Sequence, residues 1–284
     1  MTTLVIGANG FIGSAVTRQL ASFDRNRAIG LVRSNPSDGG VGGVRYVVGD
    51  TSDLSTLQGA MSEVGTVVCC VSYVGGDEQR CTEVNDRGIR NVASVASDIG
   101  VERLIYVSTA SVYGTGPFRD LVVNGAPLNP HSPASRSRAA GERHIRDAGG
   151  LVVRPHLVYG PGDRWFIPGL RAISSKIGAL INEGSALLST IHVDRLAYEI
   201  VALARASESV SSAVVHLNEP APTSVLDLLT REHRHTGWPM PSRSMDRSTA
   251  LARARQLGID RRQIDMISLD HWFRNGCSAD PGQF

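Results

Sequence analysis

Residues 4–13 read LVIGANGFIG, and the fold follows from that stretch. Leu4, Val5 and Ile6 form a short apolar run that stops at Gly7, while residues 11–20 carry apolar side chains at helical spacing. A strand, a tight turn and a helix are therefore expected. In such a turn Gly7 allows the sharp reversal, Gly10 lets the main chain approach a pyrophosphate, and Gly13 lets the helix pack closely on the strand. Asn9 suits a left-handed turn position, and Phe11 and Ile12 open a helix whose first N–H groups would face an anion. Glycine-rich turns often only reverse a chain; the strand before and the helix after point here to nucleotide binding.

The alternation continues along the chain. Runs at 28–32, 44–48, 66–71, 103–107 and 151–153 read as further strands. They predict an α/β protein with a Rossmann-type, doubly wound parallel sheet and a smaller C-terminal substrate-binding region. Residues 1–160 are expected to form most of the nucleotide-binding core, and 161–284 a mixed region that completes the sheet and covers the substrate. Residues 34–43 and 114–133 read as loops, 134–147 and 243–257 as helices. Ligands bind at the carboxyl ends of parallel strands, which singles out Asp50 and Thr51, Ser72 and Tyr73, and Val107 and Ser108. Asp50 is placed to accept from an adenine amino group, and Asp53 reads as a helix N-cap. The second strand leads into Arg33 and Ser34, where NAD-binding units usually carry an acid for the ribose hydroxyls. A guanidinium there can grip a ribose 2′-phosphate through two parallel bonds, which favours NADP over NAD. A solvated arginine is the plain alternative.

Composition narrows the partners. The formal charge of +2 is nearly balanced, with no basic stripe interleaved with aromatics, so nucleic acid has little support. The longest apolar stretch, residues 66–74, is too short to span a bilayer, and the first strand begins too early for a signal peptide, so a cytoplasmic protein is expected. Cys69, Cys70, Cys81 and Cys277 lack metal-ligand spacing, and no metal is expected. Lys176 is the only lysine among 29 basic residues.

Five ordered strings, IGANGFIGS (6–14), VNDRGIRN (84–91), LIYVSTASVYG (104–114), VRPHLVYGPGD (153–163) and IHVDRLA (191–197), resemble the short-chain dehydrogenase/reductase superfamily. The likeness is to its extended and atypical branches, related to NAD-dependent epimerase/dehydratase proteins. The resemblance implies a Ser or Thr that orients a carbonyl, a Tyr that gives or takes the proton, and a Lys four residues later that lowers the phenol's pKa. It places Thr109 at the first position, Ala134 where the Tyr belongs and Arg138 where the Lys belongs. No shift of register restores the pair, because residues 114–147 contain neither tyrosine nor lysine. Arg138 can still hold ribose hydroxyls, but a methyl group has no proton to give.

The same resemblance runs Pro155 and His156 past the nicotinamide carboxamide, with Leu157 and Val158 near the ring. Thr109 and Ser111 are candidate polarising donors. Tyr73, Tyr113, Trp165 and Phe166 fall where substrate is expected, whereas Tyr106 alternates with apolar neighbours and reads as core. The departures are similar to those of atypical, polyketide-tailoring ketoreductases of antibiotic pathways. The expected activity is reduction of an aromatic ketone by NADPH, in which a hydroxyl of the substrate itself assists. A non-catalytic NADP(H) sensor is the competing class, and a sugar-nucleotide epimerase is disfavoured by the missing Tyr. The sequence leaves the oligomeric state open.

Overall fold

A computed structural model describes residues 2–23, 27–36, 39–206 and 213–277. Ser37 and Asp38, within the loop expected at 34–43, lie outside the described residues. The core sheet is built from β1 (Thr3–Ile6), β2 (Ala28–Val32), β3 (Arg45–Val48), β4 (Thr66–Cys69), β5 (Arg103–Val107), β7 (Leu151–Arg154), β12 (Val214–His216) and β16 (Gly276–Cys277). Its order is β16-β12-β7-β5-β4-β1-β2-β3. Every neighbouring pair is parallel except β16 against β12. The order reverses between β1 and β4, the crevice where such sheets take ligands. Buried runs such as Thr3–Ile6 and Ala28–Val32 reflect helices on both faces.

One face packs against α1 (Phe11–Phe23) and α7 (Val193–Arg205), the other against α2 (Leu54–Met61), α4 (Gly88–Ile99) and α5 (Pro133–Asp147). A short α3 (Glu78–Cys81) enters α4 through a π turn, Thr82–Arg87. A third apolar cluster joins α6 (Phe166–Ile177), α8 (Val225–Thr236), α9 (Arg247–Gln256) and α10 (Arg261–Ser268). A second sheet runs β13 (Thr223–Ser224), β10 (Leu187–Leu188), β15 (His271–Phe273) and β6 (Phe118–Leu121). Two-stranded pairs link β8 (Leu157–Tyr159) to β11 (Thr190–His192) and β9 (Leu180–Ile181) to β14 (Ser244–Met245). Among the described residues no helix is long and apolar enough to cross a membrane.

Several expectations need correction. The fourth strand ends at Cys69, because the chain beyond it leaves the sheet toward Asn85, whose side chain bonds both main-chain groups of Tyr73. The 114–133 loop contains β6, whose partner β15 lies far along the chain. In the first turn the left-handed residue is Gly7 (φ 81°), not Asn9, which instead bonds the Ser34 carbonyl at 3.5 Å. Gly13 admits no side chain: an added Cβ would lie 2.1 Å from the Gly7 carbonyl oxygen.

A buried polar chain fastens the carboxyl ends of β5 and β7. Ser108 donates to Glu142 Oε1 at 2.5 Å, and Arg154 donates to both Glu142 oxygens at 2.9 and 2.5 Å. Arg154 also donates to the Tyr113 hydroxyl at 2.8 Å, which pairs with His216 Nε2 at 2.9 Å. Both charges of the ion pair are 2% exposed. Glu142→Gln leaves the guanidinium buried without its counter-charge, and should cost about 3 to 5 kcal/mol in urea unfolding. Burial holds His216 neutral, with its pKa lowered to about 4. The unfolded chain therefore binds a proton that the native chain refuses between the ordinary value and pH 4. Stability from this group should be complete above about pH 6.5 and fall by roughly 3 kcal/mol as pH drops toward 4. Urea midpoints measured across that window, with His216→Phe flattening the decline, check the sign.

Candidate active site

The sheet's switch point opens into a cleft of about 740 Å³. Phe11 from the first turn, Thr109 and Ser111 after β5, and Ala134 and Arg138 on α5 meet there. Ser111 lies on a tight turn (Ala110–Tyr113) that Thr109 caps and that begins beside the end of β7, where the Ala110 N–H donates to the Pro155 carbonyl. Ser132 and Ser135 cap α5 reciprocally, with Pro133 at its start, and so fix where residues 134 and 138 project. Leu157, Val158, Trp165, Phe166 and, from α10, Met266 and Ile267 form largely apolar walls.

Among the described residues the lining holds no tyrosine and no lysine. Most of its polar groups are already engaged. The Asp163 carboxylate accepts three N–H groups at the start of α6, and Asp260 accepts from Arg262 Nε at 3.0 Å. His271 is fixed between the Leu269 carbonyl and the Gly116 N–H. Arg138 Nη2 donates to the Val107 carbonyl at 2.8 Å. Thr109 Oγ1 accepts the Ser111 N–H at 3.2 Å, and neither hydroxyl has an acceptor among the described residues. His156 keeps both ring nitrogens buried and unpartnered.

The sequence-expected residues divide into three groups. Phe11, Thr109, Ser111, Ala134, Arg138, His156, Leu157, Val158, Trp165 and Phe166 share the cleft. Arg33 and Ser34, expected at the adenosine end, are exposed beyond β2. Asp50 Oδ1 takes bonds from Ser52, and Thr51 is buried with its carbonyl accepting from Asn91. Others stand elsewhere. Tyr113 is 2% exposed and commits its hydroxyl to Arg154 and His216, so it cannot meet substrate as expected. Ser108 likewise spends its hydroxyl on Glu142. Tyr73 and Ser72 are absent from the lining, where Val74, Gly75 and Gly76 appear instead. The wall from α10 and His271 falls in the region 161–284 that the sequence expects to cover the substrate, without naming its residues. Its signal is an amphipathic helix whose apolar face meets nothing local.

The residues fit a dinucleotide with a nicotinamide. Gly7 and Gly13 place no Cβ where the turn closes tightly at the opening of α1, where the first amides lack helical acceptors. Arg138 Nε is a buried donor without a partner at the edge of the same cleft. The Gly7–Gly13 turn would hold the pyrophosphate and Arg138 the inner ribose.

The sequence profile of the NAD dependent epimerase/dehydratase family matches residues 3–217. A 2-alkyl-3-oxoalkanoate reductase of Stenotrophomonas maltophilia (strain K279a) is 29% identical over 210 residues, covering 69% of this chain and 63% of that protein. The match thus spans less than two thirds of that reductase's own length. The 4-hydroxy-2-methyl-3-oxo-4-farnesyl-3,4-dihydroquinoline-1-oxide ketoreductase of Stigmatella aurantiaca is 27% identical over 245 residues, covering 81% and 72%. WbmH of Bordetella bronchiseptica, solved in complex with NAD+, shares the fold at a TM-score of 0.71 and 17% identity, covering 94% and 96%. With three quarters of its length inside the profile, the chain belongs to the NAD dependent epimerase/dehydratase family.

Proposed function

We propose that this protein is an NADPH-dependent reductase of an aromatic, polyketide-like ketone, and that it supplies no proton of its own. The observation that carries the reading is Ala134 in the wall of a largely apolar cleft whose described lining residues include neither tyrosine nor lysine. The apolar walls, with Trp165 65% exposed at one side, suit a flat ring system better than a sugar nucleotide. The named substrate of the Stigmatella relative carries a 3-oxo group next to a 4-hydroxy group, the arrangement that a self-assisting ketone requires.

When bound, the reduced nicotinamide would supply the hydride. The protein's own residues then have two tasks. Thr109 and Ser111 present hydroxyl donors to the ketone oxygen and polarise it as negative charge develops. The walls hold the carbonyl carbon in reach and exclude bulk water from the face that receives the hydride. The carbonyl π pair moves to oxygen, where the substrate's neighbouring hydroxyl shares its proton, and the alkoxide takes a proton from water on leaving. Magnitudes permit this. A general acid contributes about 10²- to 10⁴-fold, while orientation alone contributes up to roughly 7 to 11 kcal/mol.

At the adenosine end, exposed Arg33 and Ser34 stand where a ribose acid is missing, which supports NADP over NAD. The lack of tyrosine and lysine among the described lining residues also suits a non-catalytic NADP(H) sensor. That reading takes over if NADPH binds tightly and no ketone oxidises it.

Two outcomes are expected from nicotinamide absorbance and product analysis with aromatic hydroxyketones. Thr109→Ala and Ser111→Ala should each slow turnover by no more than about tenfold, the worth of one neutral hydrogen bond; complete loss in either would mean that the protein provides the acid. Arg33→Ala should weaken NADPH binding by about tenfold or more and leave NADH nearly unchanged.

A further inference from the structure

Three histidines crowd at one wall of the cleft, His156 and His271 lining it and His216 behind them. His216 and His271 have both ring nitrogens engaged by the protein, through Tyr113 and the Arg274 carbonyl in one case and through Gly116 and the Leu269 carbonyl in the other. His156 does not. It lines the cleft, is 8% exposed, and neither Nδ1 nor Nε2 has a partner. Its ring stacks on His271 at 5.8 Å and 18° and leans on Phe273 at 5.0 Å. Its main-chain N–H donates to Asn218 Oδ1 at 3.1 Å, while Asn218 Nδ2 is itself buried and unpartnered.

Burial, with His271 and His216 nearby, pushes the His156 pKa well below its ordinary value, so the ring is neutral at physiological pH. A neutral imidazole carries one N–H and one lone pair whichever tautomer it adopts. Leaving such groups buried and unmatched is costly, because each gives up its bonds to water and gains none in return. A phenylalanine would stack on His271 without that cost. Both nitrogens are sealed from water, yet no hydrogen bond fixes the ring. A half-turn about Cβ–Cγ exchanges Nδ1 with Cδ2 and Nε2 with Cε1 while keeping the ring plane and its stacking.

From this geometry we infer that His156 is an anchor of the cleft, whose imidazole N–H turns inward to donate to a carbonyl oxygen of a bound ligand. The oxygen is either the ketone of the substrate or the carboxamide of the nicotinamide. The donor remains neutral and polarises the oxygen without surrendering its proton, as a hydrogen-bonding electrophile. This inference rests on the proposed reductase reading for the ketone and is independent of it for the carboxamide.

The test uses His156→Phe and His156→Gln in the full chain, with NADPH affinity read by fluorescence, kcat and KM read on an aromatic hydroxyketone, and thermal melting. His156→Phe should melt no lower than the wild type and lose at least about tenfold in one binding arm, while His156→Gln, which keeps a donor, recovers part of the loss. A loss in NADPH affinity assigns the oxygen to the carboxamide. A loss in kcat/KM with NADPH affinity intact assigns it to the ketone. If His156→Phe fails to fold, ¹⁵N-histidine spectra of the wild type decide, because the His156 N–H resonance must move on saturation with NADPH or ketone. Should the wild type reduce no ketone, the NADPH affinity and the spectra still report on His156. Wild-type affinity and turnover in His156→Phe, or an imidazole signal indifferent to both ligands, overturns the inference.

Discussion

The Arg154 guanidinium, closed in by Glu142 and the Tyr113 hydroxyl, is the contact on which the site depends. It ties the end of β7 to α5 and to the turn after β5, so three separate chain segments keep one relative position. Burial opposes the Arg154 charge, and the bonds and charge of Glu142 more than offset this, leaving its pKa above the ordinary value. A hydrophobic replacement of similar shape could match the pair in stability. It could not match its directionality, because Ser108, Glu142, Arg154, Tyr113 and His216 each have one geometry that satisfies the next. Rigid placement is what a site without its own acid must rely on.

That dependence explains the distribution of polar groups. Several ionisable side chains of the cleft are tied to the protein: Asp163 to the start of α6, Asp260 to Arg262, His271 to two main-chain groups, and His131 through Nδ1 to the Thr115 hydroxyl. On the proposed reading, what remains toward the ligand is hydroxyl and the His156 N–H, groups that stabilise charge by dipole and do not neutralise it. Such donors act most strongly where water is excluded, and the apolar faces of α6 and α10 provide that exclusion. On the proposed reading, chemistry in this cleft is set by position and dipoles, and the proton comes with the substrate or from solvent.

The sequence made the first half of the sheet legible because its signals are local. Leu4 to Gly13 carries strand, turn and helix within ten residues, and the second and fifth strands appear with the limits expected. Ala134 and Arg138 could be placed because the family resemblance anchors them just after Pro133, and α5 indeed starts there behind a Ser132 cap. The misreadings arose where distant partners decide. Tyr113 lies in a string that gives no hint of direction; Arg154, 41 residues on, and His216, 103 residues on, draw its hydroxyl into the core. Strand β6 is invisible until β15 arrives to pair with it. The far wall of the cleft comes from α10, whose apolar face has meaning only after the C-terminal helices dock.

The central claim is that geometry delivers the hydride while the reacting molecule manages the charge. It is tested most directly by steady-state NADPH oxidation with two aromatic ketones that differ only in one hydroxyl next to the ketone. The account predicts that the hydroxyketone is reduced and that its analogue lacking the hydroxyl is slower by about 10²-fold or more, the range of a lost general acid. Equal kcat for the two ketones would contradict it, since the proton-sharing group would then have to belong to the protein.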